Sequence, residues 1–275
     1  MKNNFYKSTH LKKTSNGQHK IAISDLWNVG TIPNGGYLMA CAAKAMVESS
    51  SHPHPLSLTA YFLDKTDVGD AIISSKLLKK AKSISTLTAS ILQEKDPTEE
   101  GDDQFERVRL TGAFTDFSYL KGESYNEKTA PSIARFEVCK PVDDLFPPLR
   151  MYEQFNMRFD PATPGCLNAN KNNSLESNLW LEFKDGSPFD VFSLIMAADV
   201  MPPAIFNRFG AAGWVPTIEM TVNIRAIPQV SRLQIRLRTN YVSSGILEED
   251  VEIWDEQGNL LAISRQIAKL RMPKS

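Results

Sequence analysis

The chain has 275 residues, of which 42% are hydrophobic and 23% charged, so it has ample material for a sizeable core and is not globally disordered. Lys plus Arg (31) nearly balances Asp plus Glu (32), and a formal net charge of -1 speaks against a nucleic-acid coat or a polybasic membrane binder. No apolar run reaches the roughly 18 residues a membrane-spanning helix requires, and no membrane partner is expected.

Met1 to Lys13 carries charge without an apolar stretch and does not read as a secretory signal, and Met272 to Ser275 does not read as a retention or peroxisomal address. Cys41, Cys139 and Cys166 are odd in number and widely spaced, which argues against a disulfide framework or a Cys-x-x-Cys metal site. A reduced, cytoplasmic setting is the simplest expectation.

In chain order, Lys20 to Trp27 reads as a strand, followed by the turn Ile32-Pro33-Asn34-Gly35-Gly36 and an apolar helix from Tyr37 to Val47. Four β-patterned segments follow: Leu56 to Leu63, Ala71 to Leu78, Ser83 to Gln93 and Phe105 to Phe117. The stretch from about Ser118 to Leu149 is rich in proline and charge and reads as a linker. The same order then recurs. Leu175 to Lys184 is a strand, Pro188 to Val200 an apolar helix, and Thr217 to Ile227, Arg232 to Ser243, Leu247 to Trp254 and Leu260 to Leu270 are strands. A hairpin turn, Asp255 to Asn259, joins the last two. Pro55 to Thr59 lies against Thr217 to Thr221 at a constant shift that also places Ile91 on Ile253. The expected division is therefore 1–117, a linker 118–149, and 150–275. Helices apolar almost all round must be buried on most of their surface, so the expected class is α+β, with two central helices wrapped by curved antiparallel sheets.

Sequence motifs exclude several chemistries. All four histidines (His10, His19, His52, His54) precede residue 55, and there is no Gly-x-Ser-x-Gly elbow, phosphate-binding loop, dinucleotide fingerprint or His-Glu-x-x-His. With so few His and Cys, no metal site is expected. Catalysis would rest on carboxylates, hydroxyls, amides and backbone dipoles.

Asp199 interrupts the apolar run Phe192 to Val200. An isolated carboxylate buried there costs several kcal/mol without partners. Either it serves a site, or it faces solvent at the helix end or caps a loop before Pro202-Pro203. An acid near a helix C-terminus opposes the macrodipole, which weakens the second reading. Thr217 offers a hydroxyl and Gln266 both a donor and an acceptor, although taken singly each is ordinary in a strand. Asn34-Gly35-Gly36 before a helix is either a plain turn with an N-cap or a backbone cradle for a developing oxyanion. Lys79, Lys80 and Lys82 form the densest basic cluster of the first sheet region, suited either to phosphate or to a solvated turn. His54 stands before a strand as a rim residue or site member, and Trp27, Trp214 and Trp254 read as packing residues.

Pro33 to Tyr37, His54 to Leu63, Lys80 to Ser85, Ala198-Asp199, Pro216 to Thr221 and Ser264 to Gln266 together resemble acyl-CoA thioesterases of the TesB (thioesterase II) type, over about residues 20 to 270. The resemblance implies a tandem (double) hotdog and hydrolysis of acyl-CoA thioesters to fatty acid and CoA. By it, Asp199, Thr217 and Gln266 hold the attacking water, without a cofactor. It also implies that the carbonyl is served at Gly35, Gly36 and Tyr37, the last two through their amides, with His54 at the cleft and Lys79, Lys80 and Lys82 on the CoA phosphates. The chain departs from many relatives at Tyr37, where they carry Gln, and at Glu219 and Met220, where they carry Asp and His. Two other readings stay open: a non-catalytic acyl-CoA or lipid binder, and an enoyl-CoA hydratase, which the lack of histidine in the second half disfavours. A homo-oligomer, most simply a dimer, is expected, with no nucleic-acid partner.

Overall fold

A computed structural model describes residues 4–94, 104–144, 148–163, 174–210 and 214–271; Cys166 lies outside them. The helices are α1 (Asn4–Ser8), α2 (Gly35–Ser49), α3 (Val191–Ala197) and α4 (Phe206–Phe209). The longer strands are β1 (His19–Ile23), β2 (His54–Phe62), β3 (Gly69–Lys80), β4 (Ile84–Glu94), β5 (Gln104–Thr115), β6 (Phe155–Phe159), β7 (Glu176–Phe183), β8 (Thr217–Ile224), β9 (Arg232–Arg238), β10 (Ile246–Trp254) and β11 (Leu260–Lys269).

All of these strands pair antiparallel in one sheet, in the order β1-β3-β4-β5-β2-β8-β11-β10-β9-β7-β6. The α+β class is as expected, with the two halves fused edge to edge where β2 meets β8. At that seam Thr59 faces Thr221, their hydroxyls 2.9 Å apart and their positions separated by 162 residues. The pairs flanking it, Tyr61 with Glu219 and Ser57 with Asn223, exchange under the same shift, so the sequence repeat is a local two-fold axis through the Thr59–Thr221 pair.

The repeat extends to irregularities. Leu56 in β2 and Ile218 in β8 occupy equivalent positions, and each is an extra residue that the neighbouring strand does not match. An inserted residue shifts side-chain alternation by one. In a regular strand that counted Ile218, Thr217 would alternate with Glu219 away from the face that holds Met220. With Ile218 bulged, Thr217 sits opposite Ala268 on the inner, buried face.

Inside the curved sheet, α2 and α3 pack against each other. Residues 36–43, Ala45 and Met46 of α2 are buried, as an almost wholly apolar helix requires. Asn34 caps α2 by accepting the Tyr37 N–H at 2.9 Å, and Asp190 caps α3 in a capping box with Ser193. The Asp190 cap sets the start of α3 inside the predicted span, and Ala198 closes it before Asp199. The start of α2 meets the end of α3 closely. A Cβ on Gly36 would lie 3.0 Å from the Ile195 carbonyl oxygen and the Met196 Cα.

Several local expectations change. The first strand ends at Ile23 and gives way to a 3-10 turn, Asp25–Trp27, and the long strand expected to reach Ser243 stops at Arg238. Strand β6 was not anticipated, although Phe155, Met157 and Phe159 alternate cleanly. Within the proline-rich stretch, Ala134 accepts the Trp180 indole N–H at 2.8 Å and Lys128 pairs with Glu252 at 2.6 Å, so this segment lies along strands of the second half.

Because backbone atoms of α3 stand where a Gly36 side chain would go, Gly36→Ala is expected to destabilise the protein by about 1–3 kcal/mol. Thermal unfolding followed by circular dichroism should show a lower midpoint, with the wild-type signal retained before the transition.

Candidate functional site

The ends of α2 and α3, the seam strand β8 and its neighbour β11 converge on a cavity of about 740 Å³. That is ample for part of a large organic ligand. Apolar walls come from Leu38, Phe62, Met201 and Phe206 among others, and Asp199, Thr217 and Gln266 line the same space. The structure therefore brings the three predicted residues to one cavity from three separate elements.

Asp199 follows α3 and lies at the N-terminus of α2. Its Oδ2 accepts from the Gly36 N–H at 2.9 Å and from Asn34 Nδ2 at 2.9 Å, and Asn34 Nδ2 also donates to the Asp199 carbonyl at 2.8 Å. The positive end of α2 thus receives an anion, which offsets the unfavourable position of the acid after α3. Asp199 keeps a partly exposed edge while protein packs round the rest of it. That burial outweighs the hydrogen bonds from Gly36, Asn34 and Gly35, pushing the carboxyl up to about 6.

Thr217 donates its hydroxyl to Gln266 Oε1 at 2.6 Å, and Gln266 Nε2 donates to Glu249 Oε1 at 3.3 Å. Glu249 is 2% exposed, and its Oε2 accepts the Ala204 N–H at 3.1 Å. Burial first, then the nearby negative charges of Asp199 and Glu248, push this carboxyl up to about 8 against the opposing hydrogen bonds.

Several expected roles fail on geometry. The Gly36 and Tyr37 amides are not open to an oxyanion, because Asp199 takes the first and the Asn34 side chain takes the second. The Tyr37 side chain is buried away from the cavity, stacked on Trp27, with its hydroxyl donating to the Ser8 carbonyl at 2.8 Å. His54 packs against Phe117 at the start of β2 and does not line the cavity. Lys79, Lys80 and Lys82 sit at the β3–β4 hairpin, also outside it; the exposed cations bordering the cavity are Lys65, Lys269 and Arg271. Trp214, expected to serve packing, is 40% exposed and lines the cavity. Gly35 does line it, and a Cβ there would meet the Phe62 ring at 2.7 Å and Asp199 Oδ2 at 3.0 Å.

Two residues of this network were missed. Asn34 was read only as a cap, although a capping Asn uses its carbonyl oxygen and keeps two N–H donors. Glu249 was lost in the acidic run Glu248-Glu249-Asp250. Strand alternation places it with Leu247, Val251 and Ile253 on the buried face, and that was the available signal.

Two helices held inside a curved antiparallel sheet, with one half-buried carboxylate at a cavity, define a tandem hotdog protein with an acid–amide–hydroxyl site. Comparison with known proteins specifies this further. The acyl-CoA thioesterase N-terminal domain family matches residues 23–115, and the acyl-CoA thioesterase C-terminal domain family matches residues 135–269. The chain belongs to the acyl-CoA thioesterase family and carries both of its domains. It is 22% identical to the thioesterase-like protein TwmA of Talaromyces wortmannii over 97% of this chain and 91% of that one. Its fold matches a candidate thioesterase II of Thermobifida fusca YX with a TM-score of 0.86, at 24% identity over 98% of this chain and 97% of that one. A hotdog-fold protein of Alicyclobacillus acidocaldarius matches with a TM-score of 0.81, at 20% identity over the full length of both chains.

The raised carboxyls give a signed prediction. An acid whose folded pKa exceeds its unfolded value contributes stability at low pH and loses it as pH rises through the folded pKa. Asp199 shifts from 3.8 to about 6 and Glu249 from 4.5 to about 8, so the window runs from about pH 4 to about pH 8. The wild type should lose stability across that window relative to an Asp199→Asn/Glu249→Gln variant, as urea midpoints at pH 4.5 and 8.5 will measure.

Proposed function

We propose that the protein hydrolyses acyl-CoA thioesters to the free acid and CoA, using a water held by Asp199, Thr217 and Gln266. The observation that carries this reading is the placement of a half-buried carboxylate, pushed up to about 6, on a cavity shared with a hydroxyl and an amide. Above that pH Asp199 is ionised and takes a proton from the water as its oxygen bonds to the thioester carbon. The hydroxyl oxygen of Thr217 accepts from the water, and the second N–H of Gln266, the first being held by Glu249, donates to the water or the carbonyl oxygen. Collapse of the tetrahedral intermediate breaks the C–S bond, and the thiolate takes the proton back from Asp199. No cofactor or metal enters this sequence of steps.

The acyl chain occupies the apolar part of the cavity, and Lys65, Lys269 and Arg271 meet the phosphates of CoA in place of the hairpin lysines. This reading keeps the division 1–117, a linker 118–149, and 150–275. The reading includes action in the cytoplasm on acyl-CoA of fatty acid metabolism, as a dimer. Among the described residues no helix is long and apolar enough to cross a membrane. No described histidine lines the cavity, which favours hydrolysis over hydration of a double bond. A purely binding role separates from this reading by the absence of thiol release over hours.

Thiol release from a series of acyl-CoAs of increasing chain length tests the proposal. Asp199→Asn should lower kcat by about 10²–10⁴-fold. The wild-type rate should rise with pH through about 6, the value to which Asp199 is pushed. Full activity in Asp199→Asn overturns the mechanism. Neutralising Lys65, Lys269 and Arg271 together should raise KM for acyl-CoA more than for a short acyl-pantetheine lacking the nucleotide phosphates, whereas neutralising Lys79, Lys80 and Lys82 should leave both unchanged.

A further inference from the structure

The local two-fold axis gives Thr217, Gln266 and Glu249 counterparts in the other half, and the counterparts show which side chains the fold itself requires. Thr217, opposite Ala268, corresponds to Pro55, opposite Phe114. Gln266, opposite Glu249, corresponds to Gly112, opposite Leu87. A Cβ on Gly112 would come within 2.5 Å of Leu58 Cδ2, so no side chain extends there. Leu87 is completely buried. The first half thus fills these positions with Pro, Gly and Leu, and the hotdog packs without a polar group at any of them.

Glu249 therefore has no packing role that leucine does not fill in the repeat. It is an acid on the buried face of a strand whose other inward residues are Leu247, Val251 and Ile253. Burying a carboxyl there is costly, and partnerless it would be selected against. Its two oxygens bridge two parts of the site: one accepts from the Gln266 amide at 3.3 Å, the other from the backbone of Ala204 at 3.1 Å. Ala204 lies on the segment that leaves Asp199 for α4. Burial, with the negative charges of Asp199 and Glu248 nearby, pushes the Glu249 carboxyl up to about 8, above Asp199.

We propose that Glu249 is a positioning residue for the hydrolytic site, orienting the Gln266 amide toward Thr217 and the cavity while tying the Asp199 segment to the sheet. This inference rests on the thioesterase reading above and adds a residue to it.

The test compares Glu249→Leu, which installs the residue of the repeat, with Glu249→Gln, which keeps the shape and one acceptor oxygen and puts an NH2 group in place of the other. Glu249→Leu should fold, with a thermal midpoint at or above that of the wild type, and should lose about 10- to 100-fold in kcat with KM changed less than about twofold. Glu249→Gln should recover part of kcat, because its single oxygen holds one of the two N–H groups. Unchanged kcat in Glu249→Leu overturns the proposal. So does equal loss in both variants, which would assign Glu249 a role beyond positioning. A readout independent of turnover separates this from the function itself: the Gln266 side-chain amide resonances in 15N-labelled protein, assigned with Gln266→Ala. They should shift in Glu249→Leu and shift less in Glu249→Gln. If the wild type hydrolyses no acyl-CoA, the thioesterase reading fails, and these resonances still decide the bridge. Their indifference to Glu249→Leu overturns it.

Discussion

The site depends on one contact: the carboxylate of Asp199 seated on the amide end of α2. An ionised acid after a buried apolar helix is opposed both by desolvation and by the negative end of that helix. The start of α2 supplies what is lacking, through a backbone N–H from Gly36 and the side-chain amide of Asn34. The contact is possible because Gly35 and Gly36 carry no side chains; a Cβ on either would press on Asp199 or on the backbone of α3. The paired glycines let two helices meet, and only through that meeting do they serve the chemistry.

This arrangement balances the carboxyl between two states. Without hydrogen bonds, burial would hold it firmly protonated; with full solvation it would be ionised in mild acid. The net position near 6 leaves an ionised group at neutral pH that still binds a proton readily. Glu249, more deeply enclosed and close to the charge on Asp199, is pushed further, up to about 8. Two acids whose proton affinities are set apart by their surroundings share one network.

Duplication and divergence both shape the molecule. The two-fold axis at the Thr59–Thr221 pair repeats the strands and even the extra residues Leu56 and Ile218. The bulge at Ile218 turns Thr217 inward, whereas its equivalent turns Pro55, which has no hydroxyl to offer. One half keeps the polar residues and the other closes the matching positions with apolar or absent side chains. The first half instead contributes Asn34, Gly35 and the apolar wall at Leu38 and Phe62.

The amino-acid order alone carries the repeat, the two buried helices, most strands and the anomaly of Asp199, because these rest on periodicity and on the cost of a charge in an apolar run. Together with the family resemblance it also carried Thr217 and Gln266. The tertiary structure decided which donors are already engaged, and so removed the Gly36 and Tyr37 amides from the oxyanion role. It placed His54 and the hairpin lysines away from the cavity and brought Lys65, Lys269 and Arg271 to it, and it showed that Asn34 and Glu249 belong to the network. Those facts depend on how two helix ends meet and on which face a bulged strand presents. Both are fixed by packing between residues far apart in the chain, which local pattern does not encode.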